Sequence, residues 1–301
     1  MHDSRRALQC LEPKLDFFIA IDSDGCAFDT MEIKHKECFC PQAIKYFGLQ
    51  PVSKYARETW EFVNLYSRRR GVNRFPALVA VLDLLRCRTA VRQRGVQIDE
   101  LPHLRDWIAA AATLDNSTLR QKANQLESDE LLHVLQWSDS VNAAIEDIVH
   151  GVPPFPKVVR SLRRATESAD MIVCSGTPVA ALKREWAEHG LSRFVRVIAG
   201  QETGSKTEHL WLATAGRYQR DRILMIGDAA GDMKAARNVG ALFYPVVPGQ
   251  EEASWERFFD EALDRFFALS YAGSYQDALI AELDNALPES PPWEFTESRG
   301  F

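Results

Sequence analysis

Phe17-Phe18-Ile19-Ala20-Ile21-Asp22-Ser23-Asp24-Gly25 is the stretch that decides the fold. Its uninterrupted apolar run, closed by Asp-Gly turn chemistry, reads as a short strand over 15–21 that is buried on both faces. Far along the chain a second run, Ile223-Leu224-Met225-Ile226, ends in Gly227-Asp228, with Asp232 close behind. Both strands deliver carboxylates at their C-terminal ends. Carboxylates crowded at one sheet edge repel each other and lose hydration, so they persist around a cation or a reaction.

Between these runs the pattern changes twice. From about 31 to 150 helical periodicity dominates, as in Trp60–Tyr66 and Ala77–Leu85. Further helices fit Leu104–Ala112, Ser117–Leu126 and Glu130–Val149, with Asp115, Asn116 or Ser117 available as a cap. No strand pattern interrupts this block, which reads as an all-helical insert. Gly151-Val152-Pro153-Pro154-Phe155-Pro156 then stops the helices and stiffens a connector.

After the prolines, strands at Met171–Cys174, Val195–Ala199, Ile223–Ile226 and Leu242–Val247 alternate with helices at Ala180–His189, Thr207–Ala215 and Met233–Val239. That alternation predicts an α/β fold with a doubly wound parallel sheet, helices on both faces. The expected organisation is a core over 13–30 and 151–250, a helical cap over 31–150, and a C-terminal helical extension over 251–301 that packs back on the core.

The whole chain adds bounds. It has 301 residues, 46% hydrophobic and 26% charged, as an ordinary globular protein does. A net charge of −6 gives no general signal for nucleic acid. No segment reaches the roughly 20 apolar residues of a membrane span, and Met1–Arg6 carries no apolar signal core. Cys10, Cys26, Cys38, Cys40, Cys87 and Cys174 do not form a disulfide framework, so the expected setting is a reducing cytoplasm. His35, Cys38 and Cys40 lack a second ligand pair for zinc and read as an inward-packing helix.

In an open parallel sheet, ligands bind beyond the carboxyl ends of the strands. Asp22, Asp24, Ser175 and Asp228 follow three such ends, and Lys206 starts a helix within reach of the same edge. Oxygen ligands of this kind suit Mg²⁺, held with waters and a substrate phosphate. A carboxylate beside the ion can attack phosphorus, while a hydroxyl and an ammonium stabilise the phosphoryl oxygens. Ser175 is preferred over its neighbour Thr177 for that hydroxyl because it directly ends the apolar run.

These residues together resemble the haloacid dehalogenase superfamily, in the phosphatase branch with an inserted helical cap. Asp22-Ser23-Asp24-Gly25-Cys26 is similar to the first motif, Ser175 to the second, Lys206 to the third, and Gly227-Asp228-Ala229-Ala230-Gly231-Asp232 to the acidic fourth. The resemblance implies a nucleophile at Asp22 and a general acid/base at Asp24. It also implies Mg²⁺ ligands at Asp22, the Asp24 carbonyl, Asp228 and Asp232. Cys26 stands where Thr or Val is usual, a change expected to affect packing rather than chemistry, and the resemblance stops near residue 250. Asp24 points to esters, whose alkoxide leaving group needs a proton.

The expected activity is thus Mg²⁺-dependent hydrolysis of a small phosphorylated metabolite, with cap closure excluding bulk water. A phosphomutase of the same fold and a non-catalytic binding protein are the alternatives. In Ser67–Arg74, a basic cluster of the cap, Gly71-Val72-Asn73-Arg74 is similar to a substrate loop of sugar-phosphate enzymes, which makes Arg74 the candidate substrate-binding residue.

Overall fold

A computed structural model describes residues 2–295. It divides into two compact units. The first holds residues 2–31 and Gly151–Leu287, and the second holds Glu32–His150 with residues 288–295.

The first unit is built on five strands, β1 (Phe17–Ile21), β2 (Ala169–Cys174), β3 (Val197–Ala199), β4 (Ile223–Gly227) and β5 (Leu242–Pro245). Their order is β3-β2-β1-β4-β5 and every pairing is parallel. The doubly wound sheet expected from the alternation is therefore present, with β1 and β4 as neighbours. Register aligns Ile21 with both Val173 and Ile226, so the three central strands end level.

Successive side chains of a strand point to opposite faces, and the core divides accordingly. Phe17, Ile19, Ile21, Met171, Val173, Leu224 and Ile226 share one cluster with Leu182, Trp186, Phe258 and Phe266. Phe18, Ala20, Ile172, Cys174, Ile223 and Met225 share the other with Leu8, Leu210, Ala235 and Leu283. Both faces of β1, β2 and β4 are covered by helices, which is why these strands are apolar runs rather than alternating ones.

Two helices of this unit escape the sequence reading. His2–Gln9 is mostly polar, and Leu8 is its fully buried anchor. Val158–Ala165 follows the prolines and carries three arginines, yet Val158, Leu162 and Ala165 are buried at helical spacing.

The C-terminal extension divides. Helices Glu251–Arg257, Leu263–Phe267 and Ser274–Ala286 belong to the first unit, and Gln276 Oε1 accepts the Phe243 N–H at 2.9 Å. Residues 288–295 belong to the second unit, where Trp293 meets Phe62 edge-on and Arg88 lies over its ring.

The second unit is helical and closes on an aromatic core that includes Phe39, Trp60, Phe75, Trp107 and Trp137. Asn116–Leu126 is capped by Asp115 in a reciprocal capping box, and Asp129–Ile148 by Ser128. Cys38 and Cys40 are buried in helices, and His35 accepts the Trp60 indole N–H at 3.2 Å.

Candidate active site

Asp22 immediately follows β1 and continues its ladder, its N–H donating to the Ile226 carbonyl at 3.0 Å. Asp228 follows β4, and Asp232 lies in the first turn of Ala230–Val239. Ligand oxygens of the three carboxylates lie within 4.8 Å of one another, and all three side chains are buried. Gly227 makes this approach possible. A Cβ there would stand 2.4 Å from Asp232 Cβ and Cγ, closer than any side chain tolerates.

Lys206 opens the helix Lys206–Thr214, whose N-cap Ser205 and Glu208 form a capping box. Its ammonium donates to Asp22 Oδ2 at 2.7 Å and to Asp232 Oδ1 at 2.6 Å. Burial works to lower the lysine pKa, but Asp22 and Asp232 outweigh it and hold the ammonium well above its usual value. Burial raises the Asp232 carboxyl, with Lys206 opposing and Asp22 and Asp228 adding to the rise. Three buried carboxylates thus gather at the strand ends, two of them on the Lys206 ammonium. Hard oxygen donors grouped this closely fit one divalent cation such as Mg²⁺. Asp22, Asp228 and Asp232 are the side chains that would hold it.

Asp24 stands across the 22–28 loop, half-buried. Its Oδ1 accepts the Thr30 hydroxyl at 2.5 Å and its Oδ2 the Thr177 hydroxyl at 2.6 Å. The loop itself is fastened through Ser23. The Ser23 carbonyl accepts the N–H groups of Cys26, Ala27 and Phe28, while its hydroxyl donates to Glu185 and accepts from the Trp186 indole, each at 2.9 Å. Trp255, from beyond the resembling region, donates its indole N–H to the Cys26 carbonyl at 2.7 Å. Cys26 is fully buried. Burial first, and then Asp228 and Asp22, push its thiol well above the ordinary range, so it stays protonated.

Ser175 ends β2 and is buried, and its hydroxyl oxygen accepts the Thr177 N–H at 3.3 Å. That bond leaves the hydroxyl proton free to donate elsewhere. The structure therefore brings Asp22, Asp24, Ser175, Lys206, Asp228 and Asp232 together in one unit. Arg74 belongs to the other unit. There its guanidinium donates to the Ser138 hydroxyl at 2.9 Å and to Asn142 Oδ1 at 2.7 Å and lies over the Phe39 ring. Burial pulls its pKa down to about 10, which leaves it charged at neutral pH.

Sequence reading did not foresee the Thr30 and Thr177 contacts to Asp24, or the hold of Trp186 and Glu185 on Ser23. The 2.6 Å Thr177–Asp24 bond joins residues 153 positions apart, and no local pattern announces such a pair.

The sequence model of haloacid dehalogenase-like hydrolases matches residues 19–240, well over half of the chain. No curated protein matches it. Among solved structures, a hydrolase from Pseudomonas syringae is 14% identical, with a TM-score of 0.46, over 80% of this chain and 90% of that one. A haloacid dehalogenase-like family hydrolase from Streptococcus pneumoniae is 15% identical, with a TM-score of 0.43, over 81% and 91%. A predicted phosphoglycolate phosphatase from Haemophilus somnus is 13% identical, with a TM-score of 0.43, over 77% and 86%. On the family match, the chain belongs to the haloacid dehalogenase-like hydrolases.

Proposed function

We propose that this haloacid dehalogenase-like hydrolase is a Mg²⁺-dependent phosphatase acting on a small phosphorylated metabolite. One observation supports the reading most: the Lys206 ammonium lies within 2.7 Å of Asp22 and within 2.6 Å of Asp232, in a buried cluster of three carboxylates whose ligand oxygens lie within 4.8 Å of one another.

In this reading Asp22 Oδ attacks phosphorus, and the bond to the leaving oxygen breaks as Asp24 delivers a proton to it. Water then attacks the aspartyl-phosphate, losing its proton to Asp24, and free phosphate departs while Asp22 is restored. Ser175 donates its hydroxyl proton to a phosphoryl oxygen, and Lys206 holds a second one electrostatically. Mg²⁺, when bound by Asp22, Asp228 and Asp232, supplies charge neutralisation to the phosphoryl group. The reading places the protein in the cytoplasm, where its six free cysteines stay reduced.

The test is phosphate release from a panel of sugar, polyol and carboxylic-acid phosphomonoesters, with Mg²⁺ and with EDTA. Mg²⁺-dependent release from at least one ester is expected. Absence of turnover across the panel overturns the proposal, and isomerisation of a hexose 1-phosphate without net release turns it into a mutase.

A further inference from the structure

We infer that Thr177 is a positioning residue for Asp24, fixing the rotamer from which that carboxyl protonates the leaving oxygen. The inference deepens the phosphatase reading and rests on it.

Each carboxylate oxygen of Asp24 accepts a hydroxyl, Thr30 on Oδ1 and Thr177 on Oδ2. Thr177 in turn has little freedom. Its carbonyl accepts the Gln201 N–H at 3.0 Å, its own N–H donates to Ser175 Oγ at 3.3 Å, and Pro178 follows it. Gly200 admits this packing, since a Cβ there would lie 2.4 Å from the Thr177 carbonyl oxygen. The β2 and β3 ends thereby fix the Thr177 hydroxyl, and that hydroxyl fixes Oδ2.

A hydroxyl suits this place chemically. Asp24 must carry a proton before the leaving group departs and lack one before water attacks. Thr177 donates to the carboxylate and, by rotation about its C–O bond, accepts from the carboxylic acid. Valine, of the same shape, can do neither. Thr177 therefore keeps one rotamer of Asp24 satisfied through both half-reactions. The same bond to Oδ2 gives Thr177 a role separate from that of Ser175, whose proton is directed to the substrate.

Leaving-group dependence separates this role from a structural one. A p-nitrophenolate departs without a proton, whereas an alkoxide does not. kcat/KM reports the steps through phosphoryl transfer to Asp22 and excludes the later attack of water. For Thr177→Val, kcat/KM on an alkyl phosphate such as glycerol 2-phosphate should fall about 10- to 100-fold, part of the 10²- to 10⁴-fold of general acid catalysis. On p-nitrophenyl phosphate it should fall less than about 3-fold by the same reasoning. Thr177→Ser, which keeps the hydroxyl, should restore the alkyl ester to within a few-fold of wild type. Circular dichroism checks folding, and Thr177→Ser against wild type retains the comparison if the valine variant unfolds, because a serine that loses acid catalysis overturns the inference. Equal losses on the two esters, or none, overturn it while wild-type turnover leaves the phosphatase reading standing. No turnover by wild type on either ester overturns both.

Discussion

Replacing Lys206 by methionine removes the charge and keeps the shape of the stem, and the structure sets the size of the response. The ammonium bridges Asp22 and Asp232, whose side chains are 7% and 0% exposed, so its loss leaves buried carboxylates without their shared counter-charge. Removing one partner of a buried ion pair costs about 3–5 kcal/mol. Because 22% of the lysine side chain stays accessible, the low end applies, about 3 kcal/mol. For a unit of this size that is a fall in Tm of about 6–12 °C in EDTA at pH 7.5.

The deficit depends on pH and on Mg²⁺. Burial already raises the Asp232 carboxyl and Lys206 opposes that rise, so Lys206→Met drives it further up. A carboxyl raised above its unfolded value binds more protons in the native state between the two values, and stability then increases as pH falls through that window. The deficit should shrink at pH 5.5. It should shrink as well on adding Mg²⁺, which replaces the missing positive charge. Differential scanning calorimetry with EDTA and with Mg²⁺ measures both. A variant melting within about 2 °C of wild type in EDTA, or a deficit indifferent to Mg²⁺, refutes the electrostatic reasoning.

Gly227→Ala puts a Cβ 2.4 Å from Asp232 and should destabilise the protein by about 2–3 kcal/mol while abolishing any rise in Tm with Mg²⁺; an unchanged melt would contradict the close packing. His209 is fully buried, and burial, helped by Lys206, holds its pKa down at about 4. Between about pH 6.5 and about 4 the unfolded chain takes up a proton that the native imidazole refuses, so native stability falls with pH across that window. His209→Gln should remove up to about 3 kcal/mol of that acid sensitivity, read from urea melts at pH 7 and 4.5.

What the sequence made legible was local. β1 and β4 announce themselves because both faces are covered, so each is an unbroken apolar run, and the carboxylates that follow are adjacent in sequence to the strands that place them. Arg5, which ties the polar helix His2–Gln9 to the Thr203 carbonyl at 2.9 Å, has its partner 198 positions away, and periodicity cannot find it. Asp170 shows why a buried acid is not enough to mark a site. Burial raises its pKa, but bonds from the Lys14 and Leu15 N–H groups, Tyr218 and Arg196 outweigh it and hold the carboxyl below its usual value. Those four donors satisfy it within the protein.

Residues 288–295 show the same dependence on distant partners. Residues 251–301 read as one extension, yet Trp293 finds Phe62 and Arg88 in the helical unit, a partnership between distant segments. Arg74 reads as a substrate contact from the similarity of Gly71–Arg74 to a sugar-phosphate substrate loop; its hydrogen bonds to Ser138 and Asn142, which join helices far apart in sequence, are not legible from that similarity.

The most direct test of the central claim is Mg²⁺-dependent turnover of a phosphomonoester by wild type and by Asp22→Asn, with phosphate release followed continuously. Loss of the nucleophile should lower kcat by about 10⁴-fold or more while the fold and its melt are retained, and EDTA should silence the wild type. Comparable turnover by Asp22→Asn would contradict the account, because phosphorus would then be attacked by something other than the carboxylate at the end of β1.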